Sequence, residues 1–353
     1  MMAVKDIAVE KQETGFGTPV SLPPQRKAKF NKMKRMQNIN GTIMASIPFF
    51  GFFCFTFFPM IISLLASFTA MNTFNLEDMF SATRPDGKPM WIGFDNYIKL
   101  FTMSAFWQSV GNSIIYCMSV PLNMALALFL ANLLTKKIKG TGVTRVLLFI
   151  PSLCSTVGVS LIWQWMYEQN GVINMFLRLI EPMLNTVAGV FGGNVDFPDT
   201  GIAFLSEYRW WWPCLLLLSL WREGTNIVLM QSALSSVDNT LKEAAALDGA
   251  NERQIFWHIT FIAITPTLFY MLTMNFLAAM QEMGLMQILA GGGVGPGNAA
   301  ITLTYYQYLM SYGWASSFGL GIGSALGWVT AIFIVLVTRM QFWLSKKWVH
   351  YEN

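Results

Sequence analysis

Charged residues are scarce in this chain. Among its 353 residues, Asp, Glu, Lys and Arg make up only 12%, whereas hydrophobic residues make up 54% and the mean hydropathy is +0.46. Soluble domains carry about 25% charged residues, so the composition excludes an ordinary water-soluble domain. In hydrocarbon the backbone has no water to bond, and only helices or closed barrels can cross it. The long apolar runs predict membrane-spanning helices.

Cysteine and histidine are also rare. None of the cysteines has C-x-x-C spacing, and only His258 and His350 are present to join them, which excludes a disulfide framework and a zinc site. A Walker A pattern is missing as well, because Gly87-Lys88 is followed by Pro89 and lacks the upstream glycine. No ATP hydrolysis through a P-loop is therefore expected on this chain. The four cysteines, all in apolar runs, are Cys54, Cys117, Cys154 and Cys214.

The first 40 residues lack an apolar run. They are polar and carry eight basic residues, so no signal peptide is predicted there. Residues 1–40 are predicted to form a flexible cytoplasmic tail, and residues 41–353 a transmembrane domain.

Windows with little or no charge follow this tail. They predict an all-α, polytopic bundle with six transmembrane spans. The fourth window is interrupted by Arg222 and Glu223, and the last carries Arg339 near its end. The six windows are residues 41–76, 100–135, 146–167, 210–234, 259–281 and 318–344.

The distribution of basic residues predicts the orientation of these spans. With the N-terminus inside, seventeen basic residues fall on the inner side and five on the outer side. Inner loops of membrane proteins are enriched in Lys and Arg, so both termini are expected in the cytoplasm.

A polar segment between the fourth and fifth windows, near residues 235–260, predicts two short helices joined by a tight turn. Ser235 or Ser236 is a candidate N-cap of the first helix. Gly249 suits the left-handed position that ends it, and Asn251 is expected to begin the second helix. Read from physical chemistry alone, this segment is equally well a plain polar hairpin.

The same segment resembles the EAA signature of binding-protein-dependent ABC importer permeases. The matching residues are Glu243-Ala244-Ala245, followed after three residues by Gly249. The string from Glu243 to Ala250 is similar to the carbohydrate-uptake branch. One departure is that Phe261-Ile262 stands where the family has Leu-Pro, with proline delayed to Pro266. The resemblance implies that the ATPase-coupling residues are Glu243, Ala244, Ala245, Asp248 and Gly249.

Two further segments resemble the same family. Residues 93–97, Gly-Phe-Asp-Asn-Tyr, are similar to its Gly-Leu-x-Asn-Tyr approach to the membrane. Residues 291–293 are similar to its Thr-Gly-Gly-Gly-Pro loop, with Val294 in place of proline. Glycine and proline at this density end helices, and we expect an outer loop that dips towards the translocation path, with a plain exposed turn as the alternative.

The resemblance implies a multi-pass permease in a bacterial inner membrane. It would form half of a path for a carbohydrate, with an oligosaccharide as the expected class, and would pair with a second homologous permease. Two ATP-binding cassette subunits would carry ATP and Mg, and an extracytoplasmic solute-binding protein would deliver the cargo. No cofactor, metal or nucleic acid is expected on this chain, and its remaining partner is membrane lipid.

Polar and aromatic residues within the spans are candidate path residues, because polar groups tend to face a bundle interior or a cavity and sugars bind aromatic faces beside polar groups. Asn275 and Glu282 lie seven apart and share a helix face. Arg222 and Glu223 are either path residues or members of a structural ion pair. Aromatic residues near span ends, including the Trp210–Trp212 run, commonly form an interfacial belt. The candidates are Asn275, Gln281, Glu282, Arg222, Glu223, Trp163 and Tyr305.

Two other functions compete with this interpretation. An ion-coupled secondary transporter would show paired interrupted helices and intramembrane carboxylates, for which only Glu223 and Glu282 are available. A membrane-embedded enzyme would need a metal triad or nucleophile elbow, and the sequence resembles neither.

Overall fold

The computed structural model of this chain is helical. It describes residues 24–71, 83, 87–136, 140–190, 201–313 and 319–350. Over these ranges there are no β-strands, only two isolated bridges that pair Thr69 with Trp91 and Thr83 with Pro89. The predicted all-α class is confirmed.

The described ranges contain sixteen α-helices, several continued by a π-helical turn. In chain order they are α1 Pro24–Phe52, α2 Phe58–Ala66, α3 Asp95–Thr102, α4 Ser104–Cys117, α5 Ser119–Thr135, α6 Thr141–Leu153, α7 Thr156–Met166, α8 Val172–Val190, α9 Tyr208–Trp221, α10 Gly224–Ser236, α11 Asn239–Leu247, α12 Glu252–Ile255, α13 Phe261–Met280, α14 Gly284–Leu289, α15 Leu303–Tyr308 and α16 Leu320–Ser345.

The chain divides into two units, of which the first is Met1–Ile62. Helix α1 begins at Pro24 and includes residues 24–40 of the predicted tail, whose flexibility stays a prediction; residues 1–23 lie outside the described part. A π-helical turn over Phe53–Phe57 links α1 to α2. Large apolar side chains in this unit are exposed, including Ile47 at 72% and Phe55 at 83%. Such a surface suits lipid rather than water.

The second unit, Ser63–Asn353, has two apolar cores. One is formed by α4, α7, α9, α14, α15 and the start of α16, and it surrounds the fully buried Trp211, Tyr305 and Tyr306. The other is formed by α5, α10 and α13, with α16 packed against it. The interfacial-belt interpretation is therefore wrong for Trp211, whose indole lies inside the protein.

Four described helices are long and apolar enough to cross a membrane. They are Met36–Ala66, Ser104–Thr135, Glu252–Met280 and Leu320–Ser345. Helices α6 and α7 together make a fifth candidate, but they are bent by 99° where they meet. The structure thus supports four to five of the six predicted spans, and the cytoplasmic placement of the termini stays a prediction.

The predicted span over residues 210–234 is not recovered as a single helix either. It is divided into α9 and α10 at Arg222 and Glu223, whose ψ angles are both 6° instead of the helical value. Two adjacent charged side chains point about 100° apart on a helix and need different partners. The break falls at the two charged residues that interrupt the fourth apolar window of the sequence.

The Gly93–Tyr97 segment has a structural role, which its Asn96 side chain provides. The Asn96 side-chain amide donates to the carbonyl oxygens of Ser67 and Thr69, each at 2.8 Å, directly after α2. Gly321, at the start of α16, donates its N–H to the carbonyl of Met71 at 2.9 Å. The segment therefore fixes the chain after α2 against the start of the last helix.

This contact leaves no room for a side chain at Gly321, because an added Cβ would overlap the Thr69 carbonyl oxygen. We expect Gly321→Ala to destabilise the protein by about 1–3 kcal/mol. Gly111→Ala in α4 is the matched control: nothing lies within 4 Å of its Cβ position, and alanine favours a helix interior by about 0.5–1 kcal/mol. Thermal unfolding in detergent measures both; equal melting temperatures would contradict the contact.

Candidate functional site

The EAA segment forms the predicted hairpin of two short helices, α11 and α12. The N-cap of α11 is Asp238, not Ser235 or Ser236, which still belong to α10. The Asp238 carboxylate accepts from the backbone N–H and from the hydroxyl of Thr240, both at 2.8 Å. These hydrogen bonds, the backbone one first, lower the pKa of Asp238.

The turn of the hairpin has the geometry predicted for it. Gly249 has φ +86°, its N–H donates to the carbonyl of Ala246, and the N–H of Ala250 donates to that of Ala245. This is a Schellman motif with glycine at the left-handed position. Asn251 then caps α12 through a reciprocal capping box with Gln254.

Helix α11 has no buried residue. Leu247 is 90% exposed and Leu241 is 51% exposed, while Glu243, Ala244 and Ala246 are also exposed. A capped helix that presents leucines and small alanines without covering them is typical of a protein-interaction surface.

A polar cavity of about 250 Å³ lies between α5, α10 and α13. Its walls combine amide, hydroxyl and charged side chains with a few apolar ones. The lining residues are Tyr116, Ser119, Val120, Asn123, Ser152, Leu218, Ser219, Arg222, Glu223, Thr225, Asn226, Asn275, Ala278, Ala279, Glu282 and Leu285.

Hydrogen bonds connect the polar groups of this cavity. Asn226 donates to the Glu223 carboxylate at 2.7 Å and to the Asn275 oxygen at 3.1 Å. Asn275 donates back to the Asn226 oxygen at 3.2 Å and to the carbonyl of Met271 at 2.8 Å. Glu223 is only 8% exposed, so a carboxylate inside the bundle is held by amides.

Four of the seven predicted path residues come together in this cavity: Asn275, Glu282, Arg222 and Glu223. Asn275 and Glu282 both line the cavity, but α13 ends at Met280, before Glu282, so the prediction that they share one helix face is wrong. Arg222 and Glu223 do not form an ion pair with another helix among the described residues. The Arg222 guanidinium instead donates to the hydroxyl of Thr156 at 3.0 Å.

The other three predicted path residues lie elsewhere. Gln281 is exposed outside the cavity. Trp163 is 6% exposed and packs edge-on against Trp221, with ring centroids 5.8 Å apart. Tyr305 is fully buried, and its hydroxyl donates to the carbonyl of Gly293 at 2.9 Å. Both aromatic rings are covered by protein and offer no free face to a sugar.

Asn226, Asn123 and Ser119 also line the cavity, and the sequence interpretation missed them. Each lies in an apolar window, as Asn275 does, so uncharged amides within spans were the available signal. Ser219 and Asn123 join α9 to α5 through a hydrogen bond of 3.3 Å.

The glycine-rich segment is exposed, whereas residues on either side of it are buried. Gly291, Gly292 and Gly293 are exposed, and the first two have φ +58° and +79°. The flanking Leu289 and Ala300 are buried in the first core. Together with α7, the loop lines a second groove of about 630 Å³. Whether it dips towards a path stays a prediction.

Among the described residues, no group of three or more His, Cys, Asp or Glu side chains could hold a metal ion. The chemistry of the cavity is that of amides, hydroxyls and carboxylates, which bind uncharged polar molecules by hydrogen bonds. No side chain in it is arranged as a nucleophile with a neighbouring base.

Known proteins are similar to this chain in sequence and in fold. The family model described as "Binding-protein-dependent transport system inner membrane component" matches residues 103–350. The chain is 31% identical over 328 residues to the Bacillus subtilis "Probable ABC transporter permease protein YesP", covering 92% of this chain and 96% of that protein. It is 23% identical to the Rhizobium radiobacter "Lactose transport system permease protein LacF", covering 90% and 97%.

A solved structure has the same fold. A chain of a bacterial ABC transporter involved in the import of the acidic polysaccharide alginate superposes with a TM-score of 0.65 at 20% identity, covering 91% of this chain and 99% of that one. Because the family model spans most of the sequence and the Bacillus relative matches nearly all of it, this chain belongs to the binding-protein-dependent transport system inner membrane components: it is an ABC transporter permease subunit of the inner membrane and not an enzyme.

Proposed function

We propose that this permease subunit imports a carbohydrate, most simply an oligosaccharide, received from an extracytoplasmic solute-binding protein. The observation that carries the proposal is one continuous helix, Glu252–Met280, which joins the exposed EAA hairpin to the polar cavity. Movement of the hairpin is thereby transmitted to Asn275 and Glu282. A rigid helix is the simplest mechanical link between two sites.

The chemistry of the cavity suits a sugar. Hydroxyl groups both donate and accept hydrogen bonds, and the side chains of Asn226, Asn275 and Glu223 offer both functions at one place. Relatives of this chain include permeases named for lactose and for trehalose and maltose. Others are named for sn-glycerol-3-phosphate, so family membership alone does not choose the cargo.

The exposed hairpin is proposed to couple the permease to ATP hydrolysis on a separate subunit that binds ATP and Mg. Glu243, Ala244, Ala245, Asp248 and Gly249 would contact a cleft of that subunit. The excess of basic residues on the hairpin side supports a cytoplasmic position for the hairpin and both termini. The ion-coupled alternative loses its support because the family consists of ABC-type permeases.

A second, homologous permease is expected beside this one. The chain supplies one EAA hairpin, whereas two ATPase subunits would offer two clefts. Native mass spectrometry of the detergent-solubilised complex should show one copy of each permease and two ATPase subunits. Two copies of this chain without a second permease would contradict the heterodimer, and absence of any ATPase would contradict the proposed function.

Gly249→Val is expected to uncouple transport without unfolding the protein. Valine at φ +86° is strained by about 1–2 kcal/mol, and nothing within 4 Å would clash with its Cβ. ATP hydrolysis stimulated by the cargo-loaded binding protein should fall about fivefold or more, while membrane insertion survives.

The matched control for this change is Gly87→Val. Gly87 also has a positive φ, +78°, with open space around it, but it lies in a loop predicted on the outer side. It should keep normal stimulation. Equal stimulation in wild type and Gly249→Val would remove the hairpin from the coupling mechanism.

Cysteine labelling can test whether the cavity belongs to the path. Ser119 lines it, whereas the adjacent Met118 is 70% exposed outside it. In a background with the exposed Cys54 and Cys154 replaced by serine, Ser119→Cys should react with a water-soluble thiol reagent at a rate that depends on bound nucleotide. Met118→Cys should react independently of nucleotide. Identical behaviour at both positions would exclude the cavity from the path.

A further inference from the structure

Asn226 of α10 and Asn275 of α13 form a reciprocal amide pair. Each side chain donates to the oxygen of the other, at 3.1 and 3.2 Å. This is the only such pair of side-chain amides between two helices recorded in the described part of the chain. Both residues are partly buried at the wall of the cavity.

The pair is also anchored to each helix. Asn226 donates to Glu223, three residues earlier on the α10 side, at 2.7 Å, and Asn275 donates to the Met271 carbonyl, one turn earlier in α13, at 2.8 Å. The four groups form a continuous chain of hydrogen bonds across the interface. Both amides are thereby held in the orientation in which they meet.

The amide pair connects the two helices that the EAA hairpin joins, at the ends far from the hairpin. The hairpin joins the end of α10 at Ser236 to the start of the Glu252–Met280 helix. Asn226 lies near the opposite end of α10, about 15 Å from Ser236 at 1.5 Å per residue. Asn275 is five residues from the opposite end of its own helix. We call α10 and the Glu252–Met280 helix the two arms of the hairpin. They are joined covalently at one end and by the amide pair near the other.

Apolar contacts between two helices tolerate small sliding movements, whereas hydrogen bonds between side chains require distance and direction. Scissoring of the two arms about the hairpin would therefore separate the amides first. Once separated, both amides need new partners, and hydroxyl groups supply donor and acceptor together.

We propose that Asn226 is a positioning residue that acts through Asn275: the amide pair latches the free ends of the hairpin arms, and it opens when the arms move, as cargo hydroxyl groups replace the lost bonds. The inference rests on the proposed coupling role of the hairpin. It assigns to Asn226 a part in holding the closed arrangement rather than in folding.

The latch predicts a gain of activity when it is removed. Without the latch, the closed arrangement, in which the two amides are bonded, is no longer favoured over the open one. ATP hydrolysis by the full complex in the absence of cargo and binding protein should therefore rise by a factor of about three to ten. Asn226→Ala and Asn275→Leu should both show this rise. A residue needed only for folding would lower hydrolysis with and without cargo.

A double-mutant cycle sharpens the test. If the two amides act as one unit, the Asn226→Ala, Asn275→Leu double variant should rise no further than the larger single variant. Asn275→Leu keeps the branched shape and the number of heavy side-chain atoms, and it leaves Asn226 bonded to Glu223. It therefore provides a second variant in case Asn226→Ala misfolds. Ser232→Ala is the α10 control, since that exposed hydroxyl bonds only to the Val228 carbonyl of its own helix at 3.0 Å.

Unchanged cargo-free hydrolysis in Asn275→Leu, or rises that simply add in the double variant, would overturn the latch while leaving the proposed function intact. A wild-type complex that is not stimulated by its cargo-loaded binding protein would instead overturn the proposed function, and the latch with it. Gel filtration and thermal unfolding of each complex confirm that folded protein is compared.

Discussion

Hydrogen bonding without water is the constraint on which this structure depends. In hydrocarbon an unpaired polar group costs several kcal/mol, so every polar side chain within the helices needs a partner supplied by the protein. Asn96 satisfies the carbonyls that follow α2, Thr265 donates to the Ile262 carbonyl that Pro266 leaves without its helical N–H, and Asn226 bonds Glu223. Several other polar side chains, among them Ser219 and Asn275, line one cavity.

The hairpin and the cavity are different solutions to this constraint. Outside the membrane-spanning segments, α11 is stabilised locally by its Asp238 cap and its Schellman turn, and it leaves its side chains exposed for a partner. Inside, the polar groups of α10 and α13 bond to each other across helices. A continuous helix joins the two regions, so the rigid capped end and the adaptable polar end belong to one mechanical element.

Local sequence signals predicted local structure well. The left-handed glycine at 249 and the Asn251 cap were predictable because turns and caps depend on a few neighbouring residues. The shared helix face predicted for Asn275 and Glu282 did not form, because α13 ends at Met280, although both residues line the same cavity. Tertiary burial was not predicted: Trp211 was expected in an interfacial belt and Tyr305 on the substrate path, yet both side chains are fully buried in the first core. Hydropathy cannot distinguish an aromatic residue facing lipid from one facing protein.

The broken helix at residues 222–223 shows why charge in a span was informative even where the predicted span was wrong. A straight helix would place Arg222 and Glu223 on different faces and require two partners within the bundle. The break lets the guanidinium reach Thr156 and turns the carboxylate towards Asn226. The break in the helix thus gives both charged side chains a hydrogen-bond partner, and it positions Glu223 at the cavity wall. Because the break lies directly before α10, the helix that carries Asn226 is separate from α9.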